Sequence, residues 1–333
     1  MQLIRRTGIG LCLALSPLLF IACPRSAPPQ PPRVVMSERI AIEPTPSRPT
    51  VSFNGERALN HVRKQIEIGP RPPGSPESAK TREYIINELK SAGALASTDE
   101  FTATTPMGEK KMVNITAEIP GESKDVIIIG SHYDTKYYKD MHFVGANDPG
   151  ASVGTLLELG RLLAATKPKL TYWLVFFDGE EAFCENWDDC GEPGAPDNTY
   201  GSRQFVAQLK SKNSLERVRA LVLLDMIGYK QLELGRDTLS TKWLQDIIWQ
   251  RAREMGYRSY FVDRPEGVGG DDHEPFLQAG IPAVDLIQLN NYPYWHRADD
   301  TLDKVSAKSM KIVGEVVSAS LPRIEQRLLS KEK

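Results

Sequence analysis

Two adjacent carboxylates, Glu180 and Glu181, stand just beyond an apolar segment that runs from Tyr172 to Phe177. The apolar segment predicts a buried strand, and open α/β sheets place their active sites beyond the carboxyl ends of such strands. One carboxylate of such a pair can bind a metal ion while its neighbour transfers protons. An acidic surface turn is the alternative for an isolated Gly-Glu-Glu sequence, so the interpretation depends on the rest of the chain.

Further side chains that can bind a metal ion follow other predicted strands. They are His132, Asp134, Asp148, Asp225 and His296. Taken singly, each has an ordinary alternative as a loop residue, a helix cap or a turn residue. Because all of them are predicted at one sheet edge, a shared metal site is favoured over the coincidence of several unrelated loop, cap and turn residues in one place. Imidazole nitrogens and carboxylate oxygens, without thiolates, are typical of a catalytic zinc with an open position.

Apolar runs alternate with helix-like segments along the chain. The predicted helices cover residues 55–68, 76–92, 151–165, 200–209, 241–255, 273–279 and 306–328. The predicted strands cover residues 113–119, 126–130, 170–177, 220–224, 258–262 and 283–287. Strands that alternate with helices predict a three-layer α/β/α sandwich around a mostly parallel, mixed central sheet.

The composition favours one globular domain. At 333 residues the chain is long enough, after removal of its N-terminal segment, for one large domain with a full core. Its 41 Lys and Arg nearly balance 43 Asp and Glu, and it has no long basic stretch. The sequence therefore gives nucleic-acid binding no support. It carries no signal for a particular oligomeric state.

Residues 1–23 predict a signal segment for export. Arg5 and Arg6 form a positive start, and the apolar residues 11–22 are too few for a good membrane span. The sequence Leu19-Phe20-Ile21-Ala22-Cys23 resembles a bacterial lipobox, in which the cysteine is lipidated. Ordinary signal cleavage is the alternative. We expect an exported protein of the bacterial cell envelope, anchored to a membrane at its periplasmic or outer face through a lipid on Cys23.

Residues 24–50 are rich in proline and polar side chains, which predicts an extended tether between the anchor and the domain. An N-terminal arm laid along the domain surface is the alternative. The catalytic domain is predicted to cover residues 51–333.

Cys184 and Cys190 lie six residues apart, close after the glutamate pair. An exported protein can oxidise such a pair, and a metal site made of these two residues alone would lack partners. We therefore predict a small loop disulfide.

The order of the candidate ligands resembles the zinc-dependent M28 aminopeptidase superfamily over roughly residues 55 to 328. The segment Gly69-Pro70-Arg71 fits the same group. Within it, the strings Phe176 to Phe183 and Asp271 to Phe276, together with Tyr294-Trp295-His296, resemble glutaminyl cyclases. The loop from Asn147 to Ser152 is closer to the peptidases.

The resemblance to the cyclases implies conversion of an N-terminal glutamine of peptides or proteins to pyroglutamate. It implies one zinc ion with the ligands Asp148, Glu181 and His296. Glu180 is then the proton carrier between the α-amine and the departing ammonia. The resemblance further implies a carboxyl network of Asp225 and Asp271, and pocket walls from Trp187, Tyr294 and Trp295. Ordinary core packing is the alternative for the three aromatic residues.

The resemblance to the peptidases implies a different reaction on the same kind of substrate. A second zinc ion would then bind His132 and Asp225, with Asp148 bridging the two metals and Asp134 orienting His132. Glu180 would activate a water molecule that hydrolyses off the N-terminal residue. A third hypothesis, a lipid-anchored binding protein with a degenerate site, conflicts with the complete ligand set.

Overall fold

The computed structural model describes residues 52–187, 189–192 and 194–330. The predicted signal segment, the tether and Cys23 lie outside these residues. Among the described residues, no helix has the length and apolar character needed to cross a membrane.

Strands and helices alternate along much of the chain, as the sequence pattern predicts, although three strands follow the second helix without a helix between them. The strands are β1 (Leu95–Thr105), β2 (Gly108–Ile119), β3 (Ser123–His132), β4 (Leu170–Phe177), β5 (Gly191–Glu192), β6 (Ala195–Pro196), β7 (Val218–Asp225), β8 (Leu234–Asp237), β9 (Phe261–Glu266) and β10 (Ala283–Ile287). The α-helices are α1 (Gly55–Ile68), α2 (Pro76–Ser91), α3 (Gly150–Ala164), α4 (Tyr200–Ser211), α5 (Lys242–Glu254), α6 (Glu274–Gln278) and α7 (Ala307–Ser330).

A six-stranded sheet has the order β1-β2-β4-β3-β7-β10. The pairs β1–β2 and β2–β4 are antiparallel, whereas β4–β3, β3–β7 and β7–β10 are parallel. The strands β5–β6 and β8–β9 form two small separate sheets. The four parallel strands end at the same edge of the sheet, which is the edge that the sequence pattern predicts for the site.

Helices cover both faces of this sheet, which confirms the predicted three-layer architecture. Alternate side chains of β3 enter two different hydrophobic cores because successive residues of a strand point to opposite faces. Ile127 and Ile129 pack in the core that α1, α2, α3, α5 and α7 cover. Val126 and Ile128 pack in the core that α4 and α6 cover.

The predicted elements differ from the structure mainly at the margins of the fold. The sequence pattern misses β1, whose side chains are mostly exposed because it is the edge strand. It also misses the short strand β8. The strand predicted over residues 258–262 is wrong in its bounds, because β9 runs from Phe261 to Glu266. The predicted disulfide between Cys184 and Cys190 is present.

The buried side chain of Arg71 ties together two loops at the carboxyl edge of the sheet. Its guanidinium donates hydrogen bonds to the carbonyl oxygens of Tyr133 at 2.9 Å, Val144 at 2.8 Å and Gly145 at 3.4 Å. Gly145 has a φ of +55°, and a Cβ there would stand 1.9 Å from the carbonyl oxygen of Asp148. The tight turn before Asp148 therefore requires glycine.

Arg71 also supplies positive charge to an acidic region. Burial lowers the pKa of Arg71 to about 10, while the carboxylates of Asp134, Asp148 and Asp300 act in the opposite direction. The guanidinium thus stays charged at neutral pH. It both satisfies buried carbonyl groups and offsets buried negative charge.

We expect Arg71→Met to lower the free energy of unfolding by about 3 kcal/mol or more, because it leaves buried carbonyl groups and carboxylates without their partner. Urea unfolding followed by circular dichroism measures the change. Arg63→Met, at an exposed position of α1, is the control and should change stability little. Equal unfolding midpoints for the two variants would contradict this role of Arg71.

Candidate metal centre

The parallel strands bring the predicted ligands together at one sheet edge. β3 ends at His132, which lies opposite Phe177, the last residue of β4. β7 ends at Asp225, which lies opposite Ile287, the last residue of β10. The glutamate pair follows β4, and the loop that carries the last predicted histidine follows β10. Residues that are distant in sequence therefore meet at one edge of the sheet.

Asp148, Glu181 and His296 form the first candidate ligand group, with one ligand atom from each within 4.8 Å of the others. The His296 Nε2 atom lies 3.1 Å from Glu181 Oε2 and 3.5 Å from Asp148 Oδ2. Two atoms bound to one tetrahedral zinc at the usual bond lengths are about 3.4 Å apart. Glu181 Oε2 is buried and makes no hydrogen bond to the described residues. Both the spacing and the donor types fit zinc.

His132, Asp148 and Asp225 form a second candidate group beside the first. The His132 Nε2 atom lies 3.3 Å from Asp148 Oδ1 and 3.3 Å from Asp225 Oδ1. Asp148 thus offers one oxygen to each group. These are the positions that the peptidase hypothesis assigns to a second metal, and the spacing alone accommodates either one or two ions.

Glu180 lies beside both groups without belonging to either. Its Oε2 atom is 3.7 Å from His132 Nδ1. The backbone amides of Glu180 and Glu181 donate to Asp134 Oδ1 at 3.1 Å and to Asp134 Oδ2 at 3.3 Å. Asp134 therefore positions the glutamate pair, and its Oδ1 atom is 3.6 Å from His132 Nδ1. A hydrogen bond from His132 to Asp134 is absent from this geometry.

Burial of several carboxyl groups raises their pKa values. Burial raises the pKa of Glu180 well above its ordinary value, with His132 acting in the opposite direction. Burial likewise raises the pKa of Asp225 to about 7 and that of Asp271 above its ordinary value. Burial opposes the charge of His132, but the surrounding carboxylates outweigh it, so its pKa is raised well above the usual range. The site can therefore hold and exchange protons.

A cavity of about 160 Å³ opens onto these groups. Trp187 and Trp295 line it together with Glu180 and Asp271. Trp295 is 41% exposed, and its ring stacks on that of His296 with a centroid distance of 4.2 Å. The cavity thus has an aromatic wall above a charged floor.

Tyr294, which the resemblance to the cyclases assigns to the pocket wall, packs beside two other tyrosines. It is absent from the described residues that line the cavity. Its ring packs instead against Tyr229 at 6.1 Å and Tyr292 at 5.7 Å between centroids. In an irregular loop, successive side chains do not alternate between two faces as they do in a strand. The sequence therefore does not determine which of two neighbouring aromatic rings turns inward, and here Trp295 faces the cavity.

Further buried acidic side chains lie behind Asp271. His273 and Asp285 each place a ligand-capable atom within 4.8 Å of one on Asp271 and of each other. Burial raises the pKa of Asp285 well above its ordinary value, and the charge of Asp271 adds to this effect. Asp285 does not follow a predicted strand, as the other candidates do, because it lies inside one. A lone Asp within an apolar run is the signal that could have revealed it.

Asp300 is a second residue that the sequence analysis missed. Its Oδ1 atom accepts hydrogen bonds from the Asn147 amide at 2.9 Å and from the Tyr292 hydroxyl at 2.5 Å. Its Oδ2 atom accepts from the amide of Asp148 at 3.1 Å. Asp300 is fully buried and joins the loop of Asp148 to the loop of His296. The sequence does not indicate that Asp300 is buried whereas its neighbour Asp299 is exposed.

Comparisons with known proteins agree with this arrangement. The model of peptidase family M28 matches residues 114–321. A glutaminyl-peptide cyclotransferase of Bos taurus is 31% identical over 284 residues, which are 74% of this chain and 76% of that protein. A solved glutaminyl cyclase of an Acidobacteriales bacterium shares 37% identity with a TM-score of 0.78, covering 86% of this chain and all of that one. A solved leucine aminopeptidase precursor of Bacteroides thetaiotaomicron shares 25% identity with a TM-score of 0.75, covering 82% of this chain and 98% of that one.

We expect Asp300→Asn to weaken zinc binding by about 10- to 100-fold, because it loses one acceptor that holds the backbone of Asp148. The rate of zinc transfer to a coloured chelator measures this change. Asp299→Asn is the matched control, since Asp299 is exposed and adjacent in the chain. Zinc transfer at the same rate from both variants would contradict the proposed link between the two loops.

Proposed function

The chain belongs to peptidase family M28 and, within it, to the glutaminyl-peptide cyclotransferases. On this premise we propose that it converts N-terminal glutamine of peptides and proteins to pyroglutamate with release of ammonia. The enzyme class is that of an acyltransferase. The observation that carries the proposal is the similarity to curated cyclotransferases. The buried Glu180, beside a complete metal-ligand set and outside it, supplies the proton carrier that the reaction requires.

We assign Asp148, Glu181 and His296 as the ligands of one zinc ion. The chemistry that a bound zinc supplies here is Lewis-acid polarisation of the γ-carbonyl group of the substrate glutamine. The backbone of Asp148 is held by Asp300, and that of Glu181 by Asp134. The ring of His296 is held by the stacked ring of Trp295. Each ligand is therefore oriented by a contact of its own.

Glu180 moves the proton in the proposed reaction. The α-nitrogen of the substrate attacks the γ-carbonyl carbon, a carbon–nitrogen bond closes the lactam, and the bond to the amide nitrogen breaks. Glu180 accepts a proton from the α-amino group and returns it to the nitrogen that leaves as ammonia. A carboxyl group whose pKa is raised by burial is suited to this exchange.

Asp225 and Asp271 complete the charged floor of the cavity. Both are buried and line the cavity, and burial raises both pKa values. In this proposal they form the hydrogen-bonded carboxyl network that receives the α-amino group of the substrate. The Nε2 atom of His132, 3.3 Å from Asp225 Oδ1, offsets part of the negative charge.

The walls of the cavity favour cyclisation over hydrolysis. Trp187 and Trp295 enclose a volume of about 160 Å³, which suits one N-terminal side chain. Lactam closure is intramolecular and consumes no water, so a small pocket with apolar walls suits it. Hydrolysis of an N-terminal residue is the second candidate, supported by the His132, Asp148 and Asp225 group. The similarity to curated cyclotransferases does not favour it.

We expect Glu180→Gln to lower the rate of ammonia release from a Gln-initiated peptide by about 100- to 10,000-fold, with zinc retained, because it removes the proton carrier but no ligand. A coupled ammonia assay and metal analysis of the same samples measure both effects. Glu181→Gln, one residue along the chain, should instead lose zinc and activity together.

Loss of zinc from Glu180→Gln would place Glu180 among the ligands and contradict the assignment. A parallel assay with a Leu-initiated peptide tests the second candidate. Two zinc ions per chain, with free leucine released and no ammonia formed from glutamine, would identify an aminopeptidase instead.

We also propose that the enzyme is exported and held at a membrane of the bacterial cell envelope by a lipid on Cys23. Support comes from the positive and apolar segments of residues 1–22, the lipobox-like sequence around Cys23 and the Pro-rich stretch that follows. A tether of this kind would leave the cavity free to meet peptide and protein N-termini.

We expect Cys23→Ser to move the enzyme from the membrane fraction to the soluble fraction with its ammonia-releasing activity retained. Cell fractionation followed by the ammonia assay measures both. Cys12→Ser, inside the predicted signal segment, is the control and should stay in the membrane fraction. Unchanged membrane association of Cys23→Ser would contradict the lipid anchor.

A further inference from the structure

The disulfide between Cys184 and Cys190 closes a short loop that carries Trp187, one of the two tryptophans that line the cavity. Trp187 lies midway between the two cysteines in sequence. Among the described residues of this stretch, 184–187 and 189–190 belong to no helix or strand. A backbone ladder therefore does not hold the indole in place.

The first end of this loop is fixed firmly to the rest of the protein. The buried Nζ of Lys136 donates to the carbonyl oxygen of Ala182 at 2.8 Å and to that of Cys184 at 3.0 Å. The amide of Cys184 donates to Asp197 Oδ2 at 2.8 Å. Asp197 in turn accepts a hydrogen bond from the hydroxyl of Tyr200 at 2.6 Å. Cys184 is thus anchored from two sides.

The described residues between the two cysteines, 185–187 and 189, have weaker attachments. The carbonyl oxygen of Trp187 accepts one hydrogen bond from Asn198 Nδ2, at 3.4 Å. The side chains of Asn186 and Asp189 bond to each other within the loop, and both are exposed. Among the described contacts, two fix the far end of the loop: the disulfide to the anchored Cys184, and the pairing of Gly191 and Glu192 with Pro196 and Ala195 just beyond Cys190.

We propose that the Cys184–Cys190 disulfide is a positioning element for substrate binding, which holds Trp187 against the cavity so that the N-terminal residue of the substrate meets a preformed wall. This inference rests on the proposed function for the identity of the substrate. Opening the disulfide lets Trp187 leave the wall, and each binding event must then order it again. Substrate affinity falls, whereas the metal ligands and Glu180 stay in place because none of them lies within the loop.

The test compares KM and kcat of the wild type with those of the double variant Cys184→Ser, Cys190→Ser. We expect KM to rise about 3- to 10-fold, with kcat within about twofold and zinc content unchanged. Trp187→Ala alone should raise KM, and adding it to the double serine variant should raise KM little further. Such non-additivity is the signature of a disulfide that acts through Trp187.

Glu192→Gln, an exposed change close after the loop, is the control and should leave KM unchanged. Should the serine variant fail to fold, the folded wild type is reduced with a phosphine, alkylated and assayed in the same way. An unchanged KM in the opened protein, or additive effects of the serine and Trp187 substitutions, would overturn the proposal.

The wild type is first assayed with a Gln-initiated and a Leu-initiated peptide. Each KM is then measured with the peptide that the wild type turns over. Failure of the proposed function then shows as turnover of the Leu-initiated peptide alone. The comparison of open and closed loops remains valid in either case.

Discussion

Buried negative charge at the carboxyl edge of the sheet is the constraint on which the rest of the structure depends. Asp148, Glu180, Glu181, Asp225 and Asp271 are all buried around one cavity. An unpaired carboxylate in such surroundings costs several kcal/mol, so the group needs bound cations, protons or both. Two imidazoles, one buried guanidinium and raised pKa values meet part of this need, and the group of Asp148, Glu181 and His296 could hold a metal ion that meets the remainder.

The loops that carry these carboxylates are held by other buried polar side chains, which bond to the backbone. Asp134 holds the glutamate pair, Asp300 holds Asp148 and its neighbour, and Arg71 holds the turn before them. Because each of these contacts crosses between loops, a change at one of them alters the spacing of several ligands at once. The ligand geometry is thus a property of the whole sheet edge.

One scaffold of this family accommodates two reactions with nearly the same side chains. The ligand spacing alone does not separate lactam closure from hydrolysis, since His132 and Asp225 are placed equally well to bind a second ion or to hold protons. What distinguishes the reactions physically is the need for water. The small cavity, with two tryptophans in its walls, suits a reaction in which the substrate supplies its own nucleophile.

The sequence by itself determined the layered fold and most of the site. Continuous apolar runs such as residues 170–177 mark strands covered on both faces, and polar residues just after them must collect at one edge of a parallel sheet. Tertiary structure alone decided the burial of Asp285 and Asp300 and the contact of Trp295 with the cavity. These depend on which side chains face each other across loops, and residue spacing along an irregular segment carries no information about such contacts. The edge strand β1 was missed for a related reason, because its polar, exposed side chains leave no apolar pattern.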